Sequence, residues 1–103
     1  MSKDVEGPVK HIMYYVYILE CEDGSLYTGS TKDVEARFLT HKSGKGSHYT
    51  RAKKPVRILY TEELPDRGSV LRREAQIKRW TRKKKLNLIE FGHPDGRAPT
   101  NLP

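Results

Sequence analysis

Cysteine is nearly missing from this chain. Cys21 stands alone, which excludes an internal disulfide and a cysteine-based zinc cluster and makes a reducing, cytoplasmic compartment the expectation. Long apolar runs are missing too: none approaches the roughly 20 residues that a membrane-spanning helix needs. The opening MSKDVEGPVKHIM also lacks the apolar core of a secretion signal, so no membrane partner is expected. Between Ala36 and Thr61 there is no acidic residue at all. Length is limited as well, since 103 residues make one small domain with one modest core. The mean hydropathy of −0.80 is low, yet the apolar residues are clustered, which predicts folding.

What is there is positive charge. Twenty Lys and Arg stand against 13 Asp and Glu, a formal net charge of +7. The acid-free stretch carries Arg37, Lys42, Lys45, Arg51, Lys53, Lys54 and Arg57. A second segment, Arg72 to Lys85, adds Arg72, Arg73, Lys78, Arg79, Arg82, Lys83, Lys84 and Lys85 against Glu74 alone. SGKGSHYTR interleaves glycines and Tyr49 with cations, as a loop that follows a phosphate backbone would. Such clustering favours a polyanionic partner, DNA with RNA as the alternative, over a merely solvated charged face. Contacts are expected from Lys42, Lys45, Tyr49, Arg51, Lys53, Lys54, Lys78, Arg82, Lys83 and Lys84.

In chain order, residues 1–13 read as a flexible leader, 14–91 as the domain, and 92–103 as a mobile Pro/Gly-rich tail. YYVYILEC and SLYTG read as strands around an EDG turn, and STKDVEARFLTHK as a helix capped by Ser30, Thr31 or Asp33. SGKGSHYTRAKKP reads as a basic loop, and VRILYTEEL as a third strand. VLRREAQIKRW and RKKKLNLIEF read as one bent helix or two. The order β-β-α-β-α-α predicts an α+β fold.

Loop length decides whether Tyr17 and Tyr27 meet, because side chains alternate across a strand. A two-residue Asp23-Gly24 turn, the usual role of Asp-Gly, puts them on opposite faces. A three-residue Glu22-Asp23-Gly24 loop with left-handed Gly24 puts Tyr17, Leu19, Tyr27 and Gly29 on one face. In the first helix Arg37 and His41 fall beside the stripe marked by Val34 and Phe38. That suits a polar pocket at the rim of the core, or a snorkelling arginine and a histidine favoured by the helix dipole. Glu74 sits at the edge of an inward arc of Val70, Ile77 and Trp80, where it would either pair with Lys78 or hold Mg²⁺ through one carboxylate and waters.

The triplets YVY at 15–17 and YTG at 27–29, ARFLTH with Arg37 and His41, and REAQIK with Glu74 together resemble the GIY-YIG nuclease superfamily. GSHYTRAKKP at 46–55 and QIKRWTRKKK at 76–85 resemble its small stand-alone, excinuclease-subunit-like members of the UPF0213 type. The likeness runs over roughly residues 14–90, with Tyr15-Val16 in place of Gly-Ile and Thr28 in place of Ile. It implies a small three-stranded antiparallel sheet flanked by helices, and the three-residue turn that brings both tyrosines to one site.

The resemblance also implies metal-dependent DNA phosphodiester hydrolysis in repair or processing, with Tyr17, Tyr27, Arg37, His41 and Glu74 as the catalytic set. Glu74 would hold Mg²⁺ or Mn²⁺. Tyr17 would position or deprotonate water, which a free phenol with a pKa of about 10 does poorly unless a cation lowers it. Arg37 would stabilise the transition-state charge. Tyr27 and His41 would bind phosphate or relay a proton. Asn87 is the one candidate for the asparagine that many family nucleases carry after the glutamate. The rival reading is a basic nucleic-acid-binding module without catalysis, and a third is an interaction partner of a larger repair complex.

Overall fold

The structure, a computed structural model, describes residues 12–46 and 48–95. Most of the expected leader and tail lies outside these residues. The elements run β1 (Tyr14–Cys21), β2 (Leu26–Thr31), α1 (Val34–Lys42), α2 (His48–Ala52), β3 (Pro55–Leu64), α3 (Arg67–Lys78) and α4 (Arg82–Phe91). The sheet is antiparallel in the order β2-β1-β3, so the aromatic, β-branched strand β1 is central and β2 lies at an edge. This is the expected α+β architecture with one element more: α2 occupies part of the segment read as a loop. Its five residues carry no helix start signal, and what orders them is tertiary, the burial of Thr50 at 0% exposure.

Short polar side chains set the helix starts. Asp33, rather than Ser30 or Thr31, caps α1 by accepting from Ala36 N at 3.1 Å. Asp66 caps α3 through Ser69 N at 2.7 Å. Thr81 caps α4 through Lys84 N at 3.2 Å, which divides the basic segment into two helices. α4 ends at Gly92, left-handed at φ 77°.

The hairpin closes through the three residues Glu22-Asp23-Gly24. Leu19 pairs with Tyr27 and Tyr17 with Gly29. Gly24 takes φ 84° and donates its N–H to Cys21 O at 2.8 Å. Asp23 stabilises this loop rather than a two-residue one, accepting from Ser25 N at 3.0 Å and Ser25 Oγ at 2.6 Å. Lys53 adds an ion pair to the same carboxylate at 2.8 Å.

Alternation along β1 then makes two different interiors. Val16 and Ile18 face α3 and α4 and form an apolar cluster with Val70, Ile77 and Leu88. Around it, Glu62 of β3 accepts a forked pair of hydrogen bonds from Arg73 of α3, and Tyr60 donates to the same carboxylate. On the other face Tyr17 and Leu19 are covered from the side of α1 and α2, and the filling includes buried His41 and Thr50. Among the described residues no helix is long and apolar enough to cross a membrane.

Two consequences are measurable. Thr28, 3% exposed, has the one buried side-chain polar atom among the described residues that lacks a hydrogen-bond partner. Thr28→Val keeps the shape and removes the orphaned hydroxyl, so the urea midpoint should rise by the equivalent of about 1 kcal/mol at constant m. An unchanged midpoint would mean that the hydroxyl is satisfied.

The second concerns pH. Burial, and then the charge of Arg37, hold His41 below its ordinary 6.5. The unfolded chain therefore takes up this proton first as pH falls. The stability contribution of neutral His41 is complete above 6.5 and is lost as pH drops from there through the lowered folded value. Asp23 and Asp66, both lowered from 3.8, act only at more acidic pH. Thermal melts between pH 7.5 and 5 should show this loss, and His41→Gln should flatten it.

Candidate active site

Tyr17 is the centre of the second interior. Its ring lies on Gly29, where any Cβ would fall inside the phenol, so the glycine of the second triplet is needed for space. Its hydroxyl lies 2.9 Å from His41 Nε2, and His41 Nδ1 lies 2.7 Å from Thr50 Oγ1. A Cβ at Gly46 would likewise strike the His41 ring. Strand, α1 and α2 are thus joined by one buried chain, Tyr17 to His41 to Thr50. Burial first, and then the neighbouring Tyr27, push the Tyr17 phenol up to about 12, although Arg37 pulls the other way.

A phenol held this high is protonated near neutrality, so the expected role of Tyr17 as a base needs a cation beside it to lower that value. Its 1% exposure also keeps it from meeting bulk water. His41, at 0% exposure, does not reach a phosphate outside, so anything it does passes through Tyr17 or Thr50. From Tyr17 the rings step outward. Tyr27 lies 6.3 Å from Tyr17 and 5.1 Å from His41, and Tyr49 lies 5.6 Å from Tyr27 at 37% exposure. Lys53 Nζ sits 5.5 Å over the Tyr49 ring.

Arg37 projects from α1 and lines, with Ser30 and Thr31, a cavity at the end of β2. Glu74 approaches from α3 on the other face of the sheet. Ser30 Oγ donates to Glu74 Oε1 at 2.5 Å, and Lys78 Nζ pairs with Oε2 at 2.7 Å. The pairing with Lys78 therefore forms, and Ser30 adds a second anchor. The Glu74 side chain is 18% exposed. Ser30 lines the Arg37 cavity and anchors Glu74, so the two faces converge around β2. Among the described residues no three His, Cys, Asp or Glu side chains form a metal cage. Glu74 offers a carboxylate, a hard oxygen donor.

Sequence reasoning missed Ser30 and Thr50. Ser30 reads as a helix cap, but Asp33 takes that role and leaves the serine free for Glu74. No local pattern marks Thr50. Asn87 donates to Pro94 O at 3.0 Å and so ties the middle of α4 to the chain beyond it. The basic candidates divide. Lys42, Lys45, Tyr49, Arg51, Lys53 and Lys54 belong to α1, α2 and their flanks, with Lys53 paired to Asp23. Arg82, Lys83 and Lys84 open α4, a helix packed through Leu88 on the opposite face.

Comparison with known proteins places this geometry. Residues 13–87 match the model of the GIY-YIG catalytic domain. A UPF0213 protein of Staphylococcus saprophyticus is 46% identical over 79 residues, covering 77% of this chain and 96% of that one. Another, from Streptococcus sanguinis, is 53% identical over 76 residues, covering 74% and 87%. The solution NMR structure of a UPF0213 protein from Bacillus halodurans superposes with a TM-score of 0.52 at 42% identity, over 87% of this chain and 96% of that one. With the tyrosine triplets paired across one hairpin, Arg37 and Glu74 brought to its edge strand, and a domain match over most of its length, the chain belongs to the GIY-YIG family, a nuclease family.

Proposed function

We propose that the protein hydrolyses DNA phosphodiester bonds with the help of Mg²⁺ or Mn²⁺. The observation that carries this reading is the meeting of Arg37 and Glu74 at Ser30 of β2, which lines the Arg37 cavity and donates to the Glu74 carboxylate, in a strongly basic domain. Nuclease families of this kind depend on divalent metal, and a half-buried carboxylate with two anchored oxygens suits a small hard cation completed by waters. When bound, the ion would neutralise phosphate charge and acidify water. Glu74 would hold it, leaving Lys78 to turn to a phosphate.

Arg37 would meet the negative charge that grows on the phosphoryl oxygens. Tyr17, neutral, would serve as a donor. In the tautomer with the His41 proton on Nε2, Thr50 donates to Nδ1 and Nε2–H donates to the Tyr17 oxygen. The phenolic proton is then not used by His41 and is available inside the site. Tyr27 and Tyr49 would form the aromatic wall along which the strand passes, beside Lys42, Lys45 and Arg51.

The rival reading, a binding module without catalysis, gains support from Glu74 already being satisfied by Ser30 and Lys78. Glu74→Gln separates the two. A metal ligand lost this way should cut cleavage by several orders of magnitude while DNA binding holds or tightens. A purely structural pair should cost about 0.5 kcal/mol of stability and leave cleavage intact. Arg37→Ala should lower turnover more than affinity, because its contact strengthens in the transition state. Tyr17→Phe strands His41 and should cost roughly 1–3 kcal/mol of stability, so its turnover is to be compared well below the melting temperature.

Binding should weaken steeply with salt, with a log–log slope near −0.9 per phosphate neutralised on duplex DNA. A flat response in filter binding from low to moderate salt would reject a nucleic-acid role for this surface.

A further inference from the structure

The cavity at the end of β2 is cationic beyond what Arg37 explains. It measures about 280 Å³ and brings together Lys32, Arg37 and Arg67 with the hydroxyl residues Tyr14, Ser30 and Thr31. Its apolar lining comes from Val70 and Leu71, and no carboxylate lines it. The nearby acids are engaged elsewhere: Asp33 and Asp66 cap helices, and Glu74 is held by Ser30 and Lys78. Among the described residues neither Lys32, Arg37 nor Arg67 has a carboxylate partner. Three like charges turned toward one small space repel one another, and an anion there relieves the repulsion.

The cavity offers charge and hydroxyl donors rather than a platform for a base. The Tyr14 ring already has Lys32 Nζ 5.8 Å above its centroid. The volume is also below the roughly 300–1,000 Å³ of ordinary small-molecule sites, but ample for a phosphate group with several waters. The cavity shares Arg37, and through Ser30 the anchor of Glu74, with the candidate active site.

We propose that Lys32 and Arg67 form a second phosphate subsite, which holds the phosphate next to the one placed at Arg37 and Glu74. The subsite rests on the reading of that centre as a place for nucleic-acid phosphate. It would fix the register of the strand: with the neighbouring phosphate seated, the scissile one is presented to Arg37 in a single position. The shared chemistry is a phosphate anion, supplied by an internal diester of a continuous strand or by the terminal phosphate of a strand end.

The test reads binding without divalent metal, so an absence of cleavage, which would defeat the hydrolytic reading, leaves it unaffected. Short thymidine oligonucleotides are titrated by NMR at low salt: a dinucleotide with one diester, the same dinucleotide with a terminal phosphate, and a trinucleotide with two diesters. The second phosphate should tighten binding about tenfold, as expected for a charge-assisted contact, and shift the resonances of Lys32 and Arg67. Lys32→Gln and Arg67→Gln should each reduce that gain, and the double variant should abolish it. Both residues are exposed, so the fold should be unchanged by thermal melt.

Arg79→Gln removes the same charge at the far end of α3, outside the cavity, and should retain the gain. A gain with the terminally phosphorylated dinucleotide alone assigns the subsite to a strand end, and a gain with the trinucleotide assigns it to a continuous strand. The proposal is overturned if the second phosphate adds nothing, if the gain survives in the double variant, or if Arg79→Gln lowers it equally.

Discussion

The hydrogen bond between Tyr17 and His41 is the contact on which the rest of the candidate site depends. It lies in an interior with no exposure, and its continuation to Thr50 leaves the imidazole satisfied at both nitrogens. A buried polar chain is costly when incomplete and rigid when complete. Completing it requires α1 to bring His41 over the sheet and α2 to bring Thr50 to the far nitrogen of its ring. Gly29 and Gly46 give the two rings their space. A five-residue helix has little stability of its own, so this chain also accounts for the order of α2.

The second constraint is the alternation of one edge strand. Gly29 and Ser30 are consecutive, so they face opposite sides of the sheet. Gly29 supports Tyr17 on one side, while Ser30 holds Glu74 on the other. The catalytic candidates therefore come from both faces and meet at the β2 border, where no further strand covers them among the described residues. An edge strand is ordinarily a liability. Here it is a place that α1 and α3 both approach.

Charge follows the same geometry. The aromatic steps Tyr17, Tyr27 and Tyr49 run from a buried phenol to an exposed ring with Lys53 above it. On the α3 side, Lys32, Arg37 and Arg67 gather around a cavity without acids. The first arrangement suits a base or sugar face and the second suits phosphate, so the two sides of the border offer a strand different chemistry.

Much of this was legible in the residues. The β-branched run of β1, the cap at Asp33 and the positive segments are local or compositional signals, and the order of short motifs identified the family. The hairpin was only half legible. Asp-Gly alone points to a two-residue turn, and the three-residue loop follows from Asp23 binding Ser25 and Lys53, a partner 30 positions downstream. Local chemistry likewise could not assign Ser30 to Glu74 or Thr50 to His41, because those partners are distant in sequence and meet only when helices pack on the sheet. The sequence by itself determined which side chains could do chemistry. Only the tertiary structure decided their surroundings: burial pushes the Tyr17 phenol up to about 12, a result of desolvation that no linear pattern encodes.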